Sequence, residues 1–339
     1  MAYQGFPDNA ITVSIKPGIR YTSVFFPKLA ESPKPSILFL HGFPSSSWDW
    51  HNQIKYFSAK GYGVIAPDLL GYGGTTAPQE LEPYAFRNMA DDIIALLKHC
   101  NIDLDGGEKV HVVGHDFGSI FMGTLLGYYP NIALTASFLA VPYTQPGVKL
   151  DMDAMKAITE KVLGFELFGY RRFLMRDDSW DILGAHRESF FYLTYAHEDL
   201  MISDFLPPDK LETWITEFRI APTEPWMTEA FKAVRDKIFS APDAYRGPTN
   251  WYRARFQDFL GIDEEKRDIG ESPRIPCPAM FLQSGSSKML MPEVKERTAK
   301  FADEYEYLEA PSGEGHFVQL EAPDEVNDLL EKYLLKHAP

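Results

Sequence analysis

The run Val112-Val113-Gly114-His115-Asp116-Phe117-Gly118-Ser119 carries the densest chemical signal in the chain. An apolar stretch ends in Gly-x-Asp-x-Gly, a spacing that turns the chain sharply from strand to helix. The turn lifts the central side chain above a sheet and aims the next backbone N–H at the reacting atom. Serine is the usual occupant of that position; here it is a carboxylate. A serine that attacked a saturated carbon would remain as an ether, which water does not readily cleave. An aspartate remains as an ester, which activated water hydrolyses, so Asp116 suits a two-step displacement that regenerates the carboxylate. The plain alternative is a helix-capping Asp at a buried strand end.

Two further elements fit the same chemistry. His41-Gly42-Phe43-Pro44 follows a predicted strand, and its turn can present the Phe43 N–H beside the Phe117 N–H as a two-donor oxyanion hole. His316, in Gly313-Glu314-Gly315-His316-Phe317, falls between the last predicted strand and the last helix. That is where the base stands in a nucleophile-acid-histidine chain order. His111 and His115 are four apart but sit on a strand and its turn, so a metal pair is not expected. No cofactor or metal site is indicated. His41 and His115 read as braces between loops, and His186, His197 and His337 as surface or cap residues.

The elements that must position these groups read as α/β. Ile11–Ile15 and Tyr21–Phe26 flank Pro17-Gly18 and predict an opening antiparallel hairpin. Ser36–Leu40, Gly63–Ala66, Lys109–Val113, Leu134–Val141, Pro278–Gln283 and Glu304–Leu308 predict further strands, with helices near Trp48–Lys60 and Asn88–His99 between the early ones. From Tyr143 to Phe256 the alternation breaks into aromatic-rich helical segments, including Asp151–Leu163, Trp180–Tyr195 and Thr228–Phe239. The expected organisation is a core at 1–143 and 257–339 with a helical cap at 144–256, roofing the carboxyl ends of the strands.

Composition narrows the partners. A net charge of -15 disfavours nucleic acid and anionic membrane surfaces. The N-terminus lacks the basic start and apolar run of a signal peptide, no stretch approaches a membrane span, and His337-Ala338-Pro339 is no peroxisomal tripeptide. Cys100 and Cys277 lack disulfide or zinc spacing, which implies reduced thiols and a cytoplasmic setting. Trp48, Trp50, Trp180 and Trp251 are core residues by default.

Together His41-Gly42-Phe43-Pro44, Asp68-Leu69-Leu70-Gly71-Tyr72-Gly73, Gly114-His115-Asp116-Phe117-Gly118 and Gly247-Pro248-Thr249-Asn250-Trp251-Tyr252-Arg253 resemble the soluble epoxide hydrolases of the α/β-hydrolase fold. The resemblance spans nearly the whole chain. Its first three motifs are shared with haloalkane and haloacid dehalogenases, whereas the Asn-Trp-Tyr-Arg segment is more particular to epoxide hydrolases. It implies an eight-stranded, mostly parallel sheet and a small apolar epoxide as substrate. It also implies a monomer or homodimer and two cap tyrosines that hydrogen-bond the epoxide oxygen. Tyr252 matches one of them. Tyr170, early in the cap, is the expected second, with Tyr192 and Tyr195 as alternatives. The chemistry agrees, because an opening epoxide leaves as alkoxide unless a donor meets it, and a phenol of pKa about 10 donates at neutral pH. A dehalogenase using the same Asp116 and a noncatalytic binding protein are the competing readings.

The pattern departs from that family at the acid that orients the histidine. The family places an Asp shortly after the seventh strand in a Gly-x-x-Asp setting, but this chain reads Gly285-Ser286-Ser287-Lys288-Met289-Leu290-Met291. The other site used in such folds, just after the sixth strand, reads Leu139-Ala140-Val141-Pro142-Tyr143 and has no acid either. Glu293 follows Pro292 and is better explained as a helix-start acid. Two outcomes follow: slow ester hydrolysis, or a carboxylate recruited from elsewhere.

Overall fold

The computed structural model describes residues 2–29, 34–257, 260–270 and 273–338. Residues 258–259 and 271–272 of the expected second core segment, Met1, and Pro339 of the terminal tripeptide lie outside the described residues. Eight strands form one sheet: β1 (Ala10–Lys16), β2 (Ile19–Phe26), β3 (Ser36–Leu40), β4 (Gly63–Pro67), β5 (Val110–His115), β6 (Ala133–Leu139), β7 (Ala279–Ser284) and β8 (Tyr305–Ala310), in the order β1-β2-β4-β3-β5-β6-β7-β8. β1 and β2 pair antiparallel, as do β2 and β4, and every later pairing is parallel. Ile37, Leu38, Phe39, Leu40, Val110, Val112 and Val113 are fully buried, as continuous apolar strands covered on both faces must be.

From β3 the chain crosses to β4 on one side, while β5 lies on the other. The loops leaving the carboxyl ends of β3 and β5 therefore splay apart, which is where open α/β sheets hold ligands. Phe43 and Asp116 sit on those two loops.

Between β6 and β7 the regular elements are helical, including Met152–Leu163, Ser179–Ala185, Arg187–Thr194, Lys210–Thr216, Glu229–Ile238 and Arg246–Tyr252. The expected continuous helix over Trp180–Tyr195 is two helices broken at His186 (φ −114°, ψ 27°), just past Gly184, the poorest helix former in the run. The helix Arg246–Tyr252 is locked to the core at two points. Trp251 donates its indole N–H to the Leu70 carbonyl at 2.8 Å and is buried among Tyr72, Phe86, Phe117 and Phe121. Gly247 meets Gly71 so closely that a Cβ at 247 would lie 2.2 Å from the Gly71 oxygen, so two motifs distant in sequence interlock through paired glycines.

A second joint is polar and buried. Asp49, in the turn Ser47–Trp50, accepts a 2.8 Å bond from the Tyr195 hydroxyl, and the Arg235 guanidinium lies 5.4 Å from the Tyr195 ring. Burial raises the Asp49 carboxyl to about 6, against the pull of Tyr195 and Arg235. A carboxyl raised on folding takes up a proton in the native state first. Its ionisation therefore costs stability as pH climbs from about 4 to about 6 and leaves a deficit above that, on the order of 3 kcal/mol. Asp49→Asn keeps an acceptor for Tyr195 without the charge. Its unfolding midpoint should thus gain on the wild type as pH rises from 4 to 7.5, read by thermal melts across that range.

Candidate active site

β5 ends at His115 and the helix Phe117–Tyr128 begins two residues later, so Asp116 alone makes the turn. It adopts φ 53°, ψ −121°, a conformation that costs a residue with a Cβ roughly 1–3 kcal/mol and persists only where its surroundings hold it. Its Oδ1 accepts the Phe43 N–H at 2.8 Å, and its Oδ2 lies 3.4 Å from His316 Nε2. A Cβ at residue 42 would fall 2.3 Å from Asp116 Oδ1, so only glycine lets the β3 loop close on the carboxylate. Phe117 opens the following helix, whose first N–H groups receive no bond from the Asp116 side chain. Burial pushes the Asp116 carboxyl up, but His316, His115 and the Phe43 N–H outweigh it and hold it at about 2. The side chain is an anion at neutral pH.

Tyr252 ends the helix Arg246–Tyr252 and is directed at this turn, since its ring meets Phe43 and Phe117 edge-on at 4.9 Å each. Tyr170, just before the short helix Arg171–Leu174, lies 6.0 Å from Tyr252 between ring centroids. The structure thus brings together the two tyrosines named from the sequence. Burial first, then Tyr170 and Asp116, keep the Tyr252 phenol well above its usual range, so it stays protonated. Tyr195 has its hydroxyl on Asp49, and Tyr192 packs on Phe191 near Lys232.

His316 is held by its backbone and its loop. Its carbonyl accepts from His115 Nε2 at 2.8 Å, and the two rings lie 4.8 Å apart. Burial keeps His115 near 3, so it is a neutral brace. Glu321 accepts the N–H groups of Glu314, Gly315 and Phe317 at 2.9, 2.6 and 3.0 Å, fixing both flanks of His316. Burial raises the Glu321 carboxyl, against these amides and His316. His41 receives the Leu69 N–H on Nε2 at 2.9 Å, so its proton is on Nδ1 and points to the Gly42 carbonyl at 2.9 Å.

The orienting acid expected from the family pattern is not in either expected loop. Glu293 is exposed just before the helix Val294–Ala299. The carboxylate that enters the loop after β7 is Glu198, from the segment between β6 and β7: it accepts from Ser287 Oγ at 2.5 Å, Lys288 N at 2.7 Å and Met289 N at 3.4 Å. Neither Glu198 nor Glu321 was named from the sequence. Glu198 carries no local signal, being 89 residues from Ser287, whereas Glu321 shows only a position five residues after His316. Among the described residues no group of His, Cys, Asp and Glu converges as a metal site, and no helix is long and apolar enough to cross a membrane.

The chain has known relatives. The chain belongs to the alpha/beta hydrolase fold family, whose pattern matches residues 35–323. It is 27% identical over 316 residues to epoxide hydrolase srdG of Neurospora crassa, across 91% of this chain and 89% of that protein. It is 24% identical to bifunctional epoxide hydrolase 2 of Mus musculus across 95% of this chain but 54% of that protein, so it spans about half the length of that relative. The crystal structure of epoxide hydrolase A from Mycobacterium thermoresistibile superimposes with a TM-score of 0.76 at 24% identity, covering 96% of this chain and 98% of that one. That last likeness is one of fold.

Proposed function

We propose that the chain is an epoxide hydrolase that converts small apolar epoxides to vicinal diols through an ester on Asp116. The observation that carries this reading is the pair of tyrosines 6.0 Å apart, with Tyr252 packed on both Phe43 and Phe117, over an ionised aspartate. A leaving halide would need no phenol, whereas an opening epoxide does. The Phe43 N–H holds Oδ1, leaving Oδ2 to attack the epoxide carbon. The carbon–oxygen bond of the ring breaks, and Tyr170 and Tyr252 meet the departing oxygen, one of them giving it a proton. Water then loses a proton to His316 and adds to the ester carbon, while Phe43 and Phe117 N–H groups stabilise the oxyanion. Collapse releases the diol oxygen, which takes the proton from His316; Asp116 then sheds the proton left by the added water, and the phenolate formed in ring opening regains one, so the carboxylate and both phenols are restored. Phe190, Phe205 and Phe256, ringed about Phe43, Phe117 and Tyr170, supply apolar walls.

The division into a core at 1–143 and 257–339 and a cap at 144–256 belongs to the same reading, supported by the helical stretch between β6 and β7. Cytoplasmic residence is supported by the free cysteines Cys100 and Cys277. Rapid mixing with styrene oxide, followed by intact-protein mass spectrometry and diol assay, tests the reaction. Wild type should gain one substrate mass before diol appears, and Asp116→Asn should gain none. Neither adduct nor diol across several epoxides would overturn the reading and leave a dehalogenase or a noncatalytic binding protein.

A further inference from the structure

We infer that Glu198, reaching in from the cap, is the positioning acid that strengthens His316 as a base, an assignment that rests on the ester mechanism above. Its carboxylate is buried, with the residue only 3% exposed, and receives one hydroxyl and two backbone N–H groups, a donor set suited to an anion. All three donors belong to residues 287–289, in the loop that follows β7 and carries no acid of its own. Glu198 also adjoins the residue before the base: a Cβ at Gly315 would lie 3.7 Å from the Glu198 Cβ. Its neighbours clamp the same two loops. Asp199 pairs with Lys288 at 2.5 Å, and His197 Nε2 lies 3.6 Å from the Glu314 carboxylate. Three consecutive cap residues thus close on the loops that the core offers around His316.

The charge environment of His316 favours Glu198 over the other acids. Asp116 is the nucleophile and becomes a neutral ester in the step where the base is needed. Glu321 likewise accepts three donors and acts on His316, but burial outweighs them and favours its neutral form, which carries no counter-charge, and its donors all belong to the His316 loop itself. Glu314 and His197 pair with each other at the rim, both well exposed, and His115 is neutral. Glu198 remains as the buried acid held by an anion's donors. Because it comes from the cap, base strength depends on the cap being seated.

The test resolves alkylation from ester hydrolysis by rapid quench with styrene oxide in the full chain. Glu198→Gln keeps the size and one acceptor oxygen, enough for Ser287 Oγ and the Met289 N–H, but loses the charge and the acceptor of the Lys288 N–H. It should alkylate within about twofold of wild type and hydrolyse the ester at least ~10-fold more slowly, because the imidazolium formed in that step loses its counter-charge. The acid limb of its hydrolysis rate should move to lower pH. Asp199→Asn, which removes the exposed pair with Lys288 and keeps the Glu198 charge and its three donors, should hydrolyse near the wild-type rate. Ester hydrolysed by Glu198→Gln at the wild-type rate overturns this assignment alone. Equal slowing of both steps, or of hydrolysis by Asp199→Asn as much as by Glu198→Gln, also overturns it by marking a structural role. Absence of any ester in wild type overturns the epoxide-hydrolase reading itself.

Discussion

His316→Gln should convert the protein into a single-turnover alkylating agent. On the proposed mechanism ring opening uses Asp116 and the tyrosines, and the hold on Asp116 Oδ1 comes from the Phe43 N–H, so ester formation should survive without the imidazole. His115 bonds the backbone carbonyl of residue 316, and Glu321 bonds neighbouring amides, so the loop keeps its anchors when the side chain changes. Water activation is then lost. General-base catalysis contributes roughly 10²–10⁴-fold, so diol formation should fall by about that factor while alkylated protein approaches one adduct per chain. Mass spectra at increasing times after mixing measure both. Diol release at the wild-type rate would remove His316 from the mechanism. Removal of the imidazole also takes away a group that lowers the Asp116 carboxyl, but the Phe43 N–H remains to favour its anion.

The site is assembled from two halves. In the proposed mechanism the nucleophile, oxyanion donors and base come from loops at the carboxyl ends of β3, β5 and β8. Tyr170 and Tyr252, the proposed oxygen donors, come with Glu198 from the helical stretch between β6 and β7. Trp251 and the Gly71–Gly247 contact fix Tyr252 to the core, so the donor beside it is positioned by packing rather than by its own short helix.

The core half was legible because its chemistry is local. Gly-x-Asp-x-Gly encodes a turn, and His41-Gly42-Phe43-Pro44 encodes a loop that needs glycine where Asp116 approaches. The strand segments were legible as apolar runs, although β5 extends to His115 and β6 stops at Leu139, because strand ends follow pairing with neighbours rather than apolar content. Tyr252 was legible through a motif whose residues prove to interlock with another motif. Tyr170 was named from its place in the cap, and only packing brings it beside Tyr252. The acids were not legible. Glu198 meets its donors across 89 to 91 residues, and one acid among the 48 in this chain carries no mark of such a contact. The sequence did show a vacancy after β7, and that vacancy is where Glu198 enters.

Replacing both cap tyrosines, Tyr170→Phe with Tyr252→Phe, should suppress ring opening itself. The rings would remain, so the edge-on contacts of residue 252 with Phe43 and Phe117 persist and Asp116 keeps its surroundings. What disappears is the proton for an oxygen that would otherwise leave as alkoxide. Loss of one donor leaves the other in place and should cost roughly 10- to 100-fold, whereas loss of both should cost on the order of 10³- to 10⁴-fold in the alkylation rate, the upper range of general-acid catalysis. Alkylation kinetics with styrene oxide measure this, and a primary alkyl halide serves as the contrasting electrophile because its leaving halide needs no proton. If the double variant keeps its rate on the epoxide, the tyrosines are packing residues and the case against a dehalogenase collapses. If the epoxide rate falls while any reaction with the halide persists, the phenols are acting on the oxygen, and Asp116 supplies a nucleophile whose choice of substrate is set by the cap above it.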